Sequence, residues 1–380
     1  MIESNITLIL TLSLLIWGSP FVAKILRMPI PAIEIILGSL FSYIGFIEHN
    51  QYFDLIAEVG FLYLMFLAGM EVDLKQLTRS SSDMLRKSML FLVLMAFFSV
   101  GSGVLFGLNT IIIISMPLIS IGLLASLSKT YGKDTPWIKL AFIAGILGEV
   151  ISIAVLTVYD AASTTGLTIE LLEKITYLAL FMTIIYILYR LLHLLFWWFP
   201  ELKRILVPKV DTSDQDIRLA MALFFILISV MLSLDLELAL GSFIAGVAIS
   251  AFFHHEKALE SKMSSLGFGF LVPLFFIHVG ASFDLESLAI KGVVTGALLI
   301  TVLMILSRVL AAIALKKISG SKDALLAGLS LSMPLTLLIA VATIGYETKM
   351  FDLLSYYQLI LASIFEILIV MVTIKILQRR

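Results

Sequence analysis

Glu149 sits where charge is expensive. It falls in Ala141-Phe-Ile-Ala-Gly-Ile-Leu-Gly-Glu-Val-Ile-Ser-Ile-Ala-Val-Leu-Thr157, near the middle of an apolar run from about Trp137 to Tyr159. Roughly 20 apolar residues suffice for a helix to cross a bilayer, and a glutamate halfway along costs about 2.5–3.5 kcal/mol on insertion scales. Such an acid usually faces a cavity or a partner. Glu149 therefore reads as a site for an ion or a proton; the plainer alternative is a structural acid paired with an arginine.

Arg308, Glu366 and Glu34 are the other deep ionisable residues. Arg308 lies past the centre of its apolar run, and helix side chains lean toward the N-terminus, so it leans toward midplane and reads as a charge partner rather than a snorkelling residue. For Glu366 two readings stay open, a second member of the site or a buried structural acid. Glu34 lies one turn from a run's end and reads as interfacial. His278, in Phe275-Phe-Ile-His-Val-Gly280, could relay protons, but a lone histidine there is more often a hydrogen-bonded structural residue. No nucleotide loop, metal-ligand cluster or nucleophile with a nearby base accompanies these residues. Enzyme chemistry, a resident cofactor and nucleic-acid binding are not expected.

The elements that position these groups are membrane helices. With 60% hydrophobic and 14% charged residues and a mean hydropathy of +1.08, the chain cannot be an ordinary soluble domain, whose charged share is near a quarter. The net charge of −1 points to no partner, and the absence of cysteine excludes disulfides and thiol ligands. The first apolar run lacks a basic flank and a cleavage site, so it reads as a span and not as a signal peptide. Hydropathy predicts an all-α polytopic membrane protein with thirteen spans, at about 5–26, 31–47, 54–72, 88–108, 110–128, 137–160, 173–198, 215–233, 236–252, 264–281, 288–315, 323–346 and 354–376. Of the 26 Lys and Arg, 22 fall on the connections after odd-numbered spans, in the parts of spans that flank them, or at the C-terminus. Basic residues mark cytoplasmic loops, which places the N-terminus outside and the C-terminus inside the cell membrane.

The chain also repeats itself. Ser115-Met-Pro-Leu118 recurs as Ser332-Met-Pro-Leu335, and the same offset of 217 carries Glu149 onto Glu366. Leu37-Gly-Ser39 matches Leu240-Gly-Ser242 at an offset of 203, and Gly69 and Asp73 match Gly280 and Asp284 at 211. Each pair lies seven spans apart, an odd number. The repeats, about 5–160 and 215–376, are thus inverted relative to each other, with 173–198 as linker. Such repeats are built around sites near midplane where interrupted helices meet. Pro117 and Pro334 supply the interruptions. Ser120 and Gly122 follow the first break and Thr336 the second, and the expectation is of two broken helices crossing at midplane. Ser120 and the freed carbonyls would add oxygen ligands to Glu149.

Phe66-Leu-Ala-Gly-Met-Glu-Val-Asp-Leu74, Leu240-Gly-Ser-Phe-Ile-Ala-Gly246, Pro273-Leu-Phe-Phe-Ile-His-Val-Gly280 and the acid at Glu149 together resemble the monovalent cation:proton antiporters of the Kef-type and NapA-type branch. The resemblance covers nearly the whole chain. It implies a homodimer in membrane lipid, a scaffold of spans 1–3 and 8–10, and a core of spans 4–6 and 11–13 moving in an elevator-like way. It also implies exchange of Na⁺ or K⁺ for H⁺ in the service of pH homeostasis. Two residues depart from the family pattern. Gly148 stands where an acid, Asn or Gln usually precedes the key carboxylate, and Arg308 stands for the core lysine of electrogenic members. Neither can release a second proton, so one-for-one, electroneutral exchange is expected. The sequence ends without the cytoplasmic regulatory domain of Kef-type proteins, which leaves regulation to a separate subunit. A gated K⁺ channel, an organic-anion symporter on the same fold and a transport-inactive sensor are the rival readings.

Overall fold

The computed structural model of the chain describes residues 2–379 apart from 27, 49, 73–80, 133, 166–168, 200, 202–213, 237 and 254–256. Asp73, one of the repeat matches, lies outside the described residues. These residues are helical, with no strand among them. Helices α1 (Ile2–Leu26), α2 (Ile30–Tyr43), α3 (Gln51–Met70) and α4 (Ser82–Leu105) precede a split pair, α5 (Thr110–Ser115) and α6 (Gly122–Tyr131). After α7 (Pro136–Thr165) and α8 (Ile169–Trp198) come α9 (Gln215–Ser233), α10 (Leu238–Phe253) and α11 (Lys257–Leu266). A π-helical turn, Gly267–Leu271, joins α11 to α12 (Val272–Ala281). The chain ends with α13 (Val293–Ala311), α14 (Lys316–Ser330), α15 (Leu335–Glu347) and α16 (Leu353–Arg379).

Eight of the described helical stretches are long and apolar enough to cross a membrane, among them Pro136–Leu156, Val293–Ser330 and Leu353–Gln378. The chain is a multi-pass membrane protein. Helix length explains four of the five runs by which eight falls short of the thirteen hydropathy runs. α2 has only 14 residues and α10 only 16, while runs five and twelve are each cut in two. Local chemistry sets several ends. Ser81 caps α4 by accepting from the Met84 amide at 3.2 Å, and Asn109 starts α5 through the Ile111 amide at 3.1 Å. Gly320, at φ +83° inside α14, takes a left-handed conformation that suits glycine.

The chain divides into two compact units, Met1–Val59 with Lys75–Ile153 and Val272–Arg380, and Gly60–Leu74 with Ala154–Leu271. In the first, α2 and α12 press backbone on backbone. A side chain at Gly38 would strike the Ile277 carbonyl, and one at Gly280 would strike Ile35. Ser39 and Ser42 donate across the same crossing to the Gly280 and Ala281 carbonyls, at 2.8 and 3.0 Å. α13 packs on α16, where Thr301 donates to the Ala362 carbonyl at 3.2 Å.

The second unit contains a matching crossing. Gly69 of α3 abuts Phe243 of α10, and Gly246 abuts Phe66. Ser250 donates to the Val72 carbonyl at 2.9 Å, and Tyr63 to Met263 at 3.2 Å. Ile277 and Gly280 correspond to Phe66 and Gly69 at the offset of 211 residues already seen in the sequence. Ile35 and Gly38, however, correspond to Phe243 and Gly246 at 208, five residues beyond the Leu-Gly-Ser match. Gly241 packs instead on Leu227 and Met231 of α9. A three-letter match cannot tell which glycine touches a neighbouring backbone, and here the contact decides the register.

Because these crossings leave no room for a methyl, Gly280→Ala should destabilise the protein by roughly 1–3 kcal/mol, the usual cost of overpacking. Gly18→Ala, with nothing within 4 Å of the new methyl, should be neutral or slightly stabilising. Thermal unfolding of the two variants in detergent checks this; equal midpoints would show that the helices yield.

Candidate functional site

All of the site's described contacts lie in the first unit. Residues 116–121 run between α5 and α6 without helix, and 331–334 do the same between α14 and α15. Pro117 lies within the first gap and Pro334 closes the second, each lacking the amide that a continuing helix would need. Both gaps are buried: Met116, Ile119, Ile121, Leu331 and Ser332 have no exposure. Backbone groups freed at such depth must find partners in the protein.

α7 and α13 provide those partners. The Glu149 Oε2 atom accepts the Ile121 amide at 2.6 Å, and its Oε1 faces the Ser120 hydroxyl at 3.4 Å. One turn on, the Ser152 hydroxyl accepts the Ile119 amide at 2.8 Å. Glu149 and Ser152 share a helix face because they are three residues apart. From α13, Arg308 donates to the Leu118 carbonyl of the first gap at 2.7 Å and the Leu331 carbonyl of the second at 3.2 Å. A third bond, at 3.0 Å, goes to Met304 on its own helix. One guanidinium thus ties both gaps to α13.

Arg308 also faces Glu366 of α16, with Nη1 and Oε1 3.5 Å apart and both side chains fully buried. Arg308 does not hydrogen-bond the Glu366 oxygens, and the Ser332 hydroxyl lies beside them. The two repeat-related acids therefore have different surroundings: Glu149 is held by backbone and hydroxyl donors, Glu366 by a charge.

Gly148 has a packing reason. A Cβ there would lie 2.7 Å from Ile119 Cδ1 and 3.1 Å from Leu92 Cδ2. Gly145 is pressed likewise by Ile121, at 2.6 Å, and by Leu331, at 3.0 Å. The two glycines let α7 lie flush against both gaps, and no volume remains at 148 for a polar side chain.

Other predicted positions fall elsewhere. Gly122 opens α6, with its amide 3.5 Å from the Ser120 hydroxyl. Thr336 is the second residue of α15 and so lies past the gap; its side chain lies outside the described residues. His278 is away from these contacts: its Nε2 meets Asp54 Oδ1 at 2.8 Å and its ring packs edge-on against Phe53. Glu34, read from sequence as interfacial, is buried within the protein. It is 2% exposed and accepts from Ser19 of α1 at 3.1 Å, because α1 folds back over that end of α2. Sequence reasoning overlooked Ser152, which its spacing from Glu149 on a helix would have revealed. The carbonyls that Arg308 binds carry no sequence signal.

A family model described as "Sodium/hydrogen exchanger, transmembrane" matches residues 9–379. The chain is 26% identical over 384 residues to the "Putative Na(+)/H(+) antiporter YjbQ" of Bacillus subtilis, across 93% of this chain and 60% of that protein. It thus spans about 60% of that relative's length. The Na(+)/H(+)-K(+) antiporter GerN of Bacillus cereus is 23% identical over 255 residues, covering 65% of this chain and 63% of GerN. A solved structure of the sodium proton antiporter MjNhaP1 from Methanocaldococcus jannaschii at pH 8 matches 98% of this chain and 97% of its own. Its TM-score of 0.69 at 15% identity is a likeness of fold.

Restoring a polar residue at 148 should be harmful in this chain. Gly148→Asn is expected to lower the unfolding midpoint by several degrees, and shortening the obstructing side chain with Ile119→Ala should recover part of the loss. Melting curves of the single and double variants test this; additive losses would break the link between the positions.

Proposed function

Because the chain belongs to the transmembrane sodium/hydrogen exchanger family, we propose that it is a secondary transporter exchanging a monovalent cation, Na⁺ or K⁺, for protons, with Glu149 carrying either in turn. One observation carries this reading: a fully buried carboxylate aimed at a helix gap and already held by that gap's Ile121 amide and Ser120 hydroxyl. A carboxylate with a hydroxyl beside it offers the oxygen ligands that hard cations need. A proton can occupy the same oxygens, and the two then compete for one place. Both cations stay in the proposal, since GerN's name includes Na⁺ and K⁺.

The remainder of the mechanism follows from inverted symmetry. The matched glycine crossings, Gly38 with Gly280 and Gly246 with Gly69, support two repeats, and the distribution of basic residues supports thirteen crossings with the N-terminus outside. In this reading the two gaps are the broken centres of crossed helices. The core, spans 4–6 and 11–13, carries the site past a scaffold of spans 1–3 and 8–10 in an elevator-like movement. The working unit is a homodimer in lipid. The core moves when Glu149 is neutralised, since carrying a bare charge through hydrocarbon is costly.

Exchange is electroneutral in this proposal. Gly148 has no titratable group and no space for one, and an arginine keeps its proton at accessible pH. In proteoliposomes with an internal pH dye, Glu149→Gln should reduce cation-driven proton flux to the level of protein-free liposomes. Wild-type-like exchange in that variant would remove Glu149 from the mechanism, and cation conductance without proton countertransport would favour a channel. For the wild type, a cation-driven pH change should be indifferent to a potential clamped with valinomycin and K⁺. A response that grows with inside-negative potential would overturn electroneutrality.

A further inference from the structure

We infer that Glu366 is the residue that makes exchange obligatory, by keeping the charge of Arg308 unavailable to Glu149. The inference rests on the reading of Glu149 as the carrier group. Three fully buried ionisable side chains surround the helix gaps: Glu149, Arg308 and Glu366. The orientation of Arg308 is already fixed by three carbonyls, those of Leu118, Leu331 and Met304. These acceptors are neutral and leave its positive charge in place. Glu366 stands 3.5 Å away, farther than any of the three carbonyls, which are 2.7–3.2 Å from the guanidinium. A residue needed only to hold the guanidinium in position would be expected to bond to it. What Glu366 contributes here is its charge.

The consequence follows from the net charge of the sealed site. With Arg308 and Glu366 cancelling, the empty site carries −1 through Glu149, and one proton or one monovalent cation brings it to zero. Burying net charge in hydrocarbon is unfavourable, so the loaded forms re-expose the site and the empty form does not. Exchange is then compulsory. Without the charge of Glu366, Arg308 offsets Glu149 instead. The empty site becomes neutral and free to return, while the loaded site carries +1 and crosses only when membrane potential drives it.

The test compares reconstituted full-length wild type, E149Q, E366Q and the double variant R308Q/E366Q. The readouts are uptake of radiolabelled sodium or rubidium, whichever the wild type exchanges, and internal pH under clamped potential. In wild type the accumulated cation should follow the pH gradient and ignore the potential. In E366Q it should follow the potential, rising about 50-fold for an imposed ~100 mV when one charge crosses, without proton countertransport. R308Q/E366Q restores the original net charges and should restore coupling. E366Q that stays tightly coupled overturns the inference, and so does folded E366Q that moves no ion even under the imposed potential, which would make Glu366 a binding group. Recovery of the double variant in the membrane without recovery of E366Q also overturns it, because Glu366 would then be a structural counter-ion. Exchange retained in E149Q defeats the underlying reading instead, a result distinguishable from all of these.

Discussion

The structure around the site answers one requirement: backbone groups released inside a membrane protein must be bonded by the protein itself. Two gaps, at 116–121 and 331–334, release such groups where water is scarce. Glu149 and Ser152 take up amides of the first, and Arg308 takes a carbonyl from each. The side chains that could bind and neutralise an ion are the ones that hold the gaps in place. The polar residues at this depth therefore have structural as well as chemical duties.

The same requirement suits arginine at 308. An ammonium is a point charge with three donors, whereas guanidinium is a rigid planar fork with five. Reaching three carbonyls in different directions while facing a carboxylate suits the fork. The glycines at 145 and 148 belong to the same arrangement, because only a bare helix face lets α7 approach both gaps. Arginine at 308 and glycine at 148 thus have one packing origin in this chain.

Much of this was legible in the sequence because it depends on residue types that are costly or disruptive in a membrane. A glutamate amid apolar residues, an arginine at similar depth and paired prolines announce themselves. Features that depend on which atoms touch were not legible. The burial of Glu34 comes from Ser19 on another helix, and the correspondence of Gly38 with Gly246 comes from helix crossings and not from neighbouring letters. The partnership of Arg308 with Glu366 likewise requires α13 and α16 to be seen side by side. Helix interruption itself was readable from proline, yet its limits were not, so Thr336 falls inside α15.

The bond from the Ile121 amide to Glu149 has a thermodynamic corollary. A glutamate side chain that becomes ordered only on binding loses rotamer freedom at that moment. Here the carboxylate is already immobilised against backbone, so in the proposed exchange an arriving ion would find its ligand preorganised and little further entropy would be lost. Affinity then depends mainly on how completely the site replaces the ion's hydration shell.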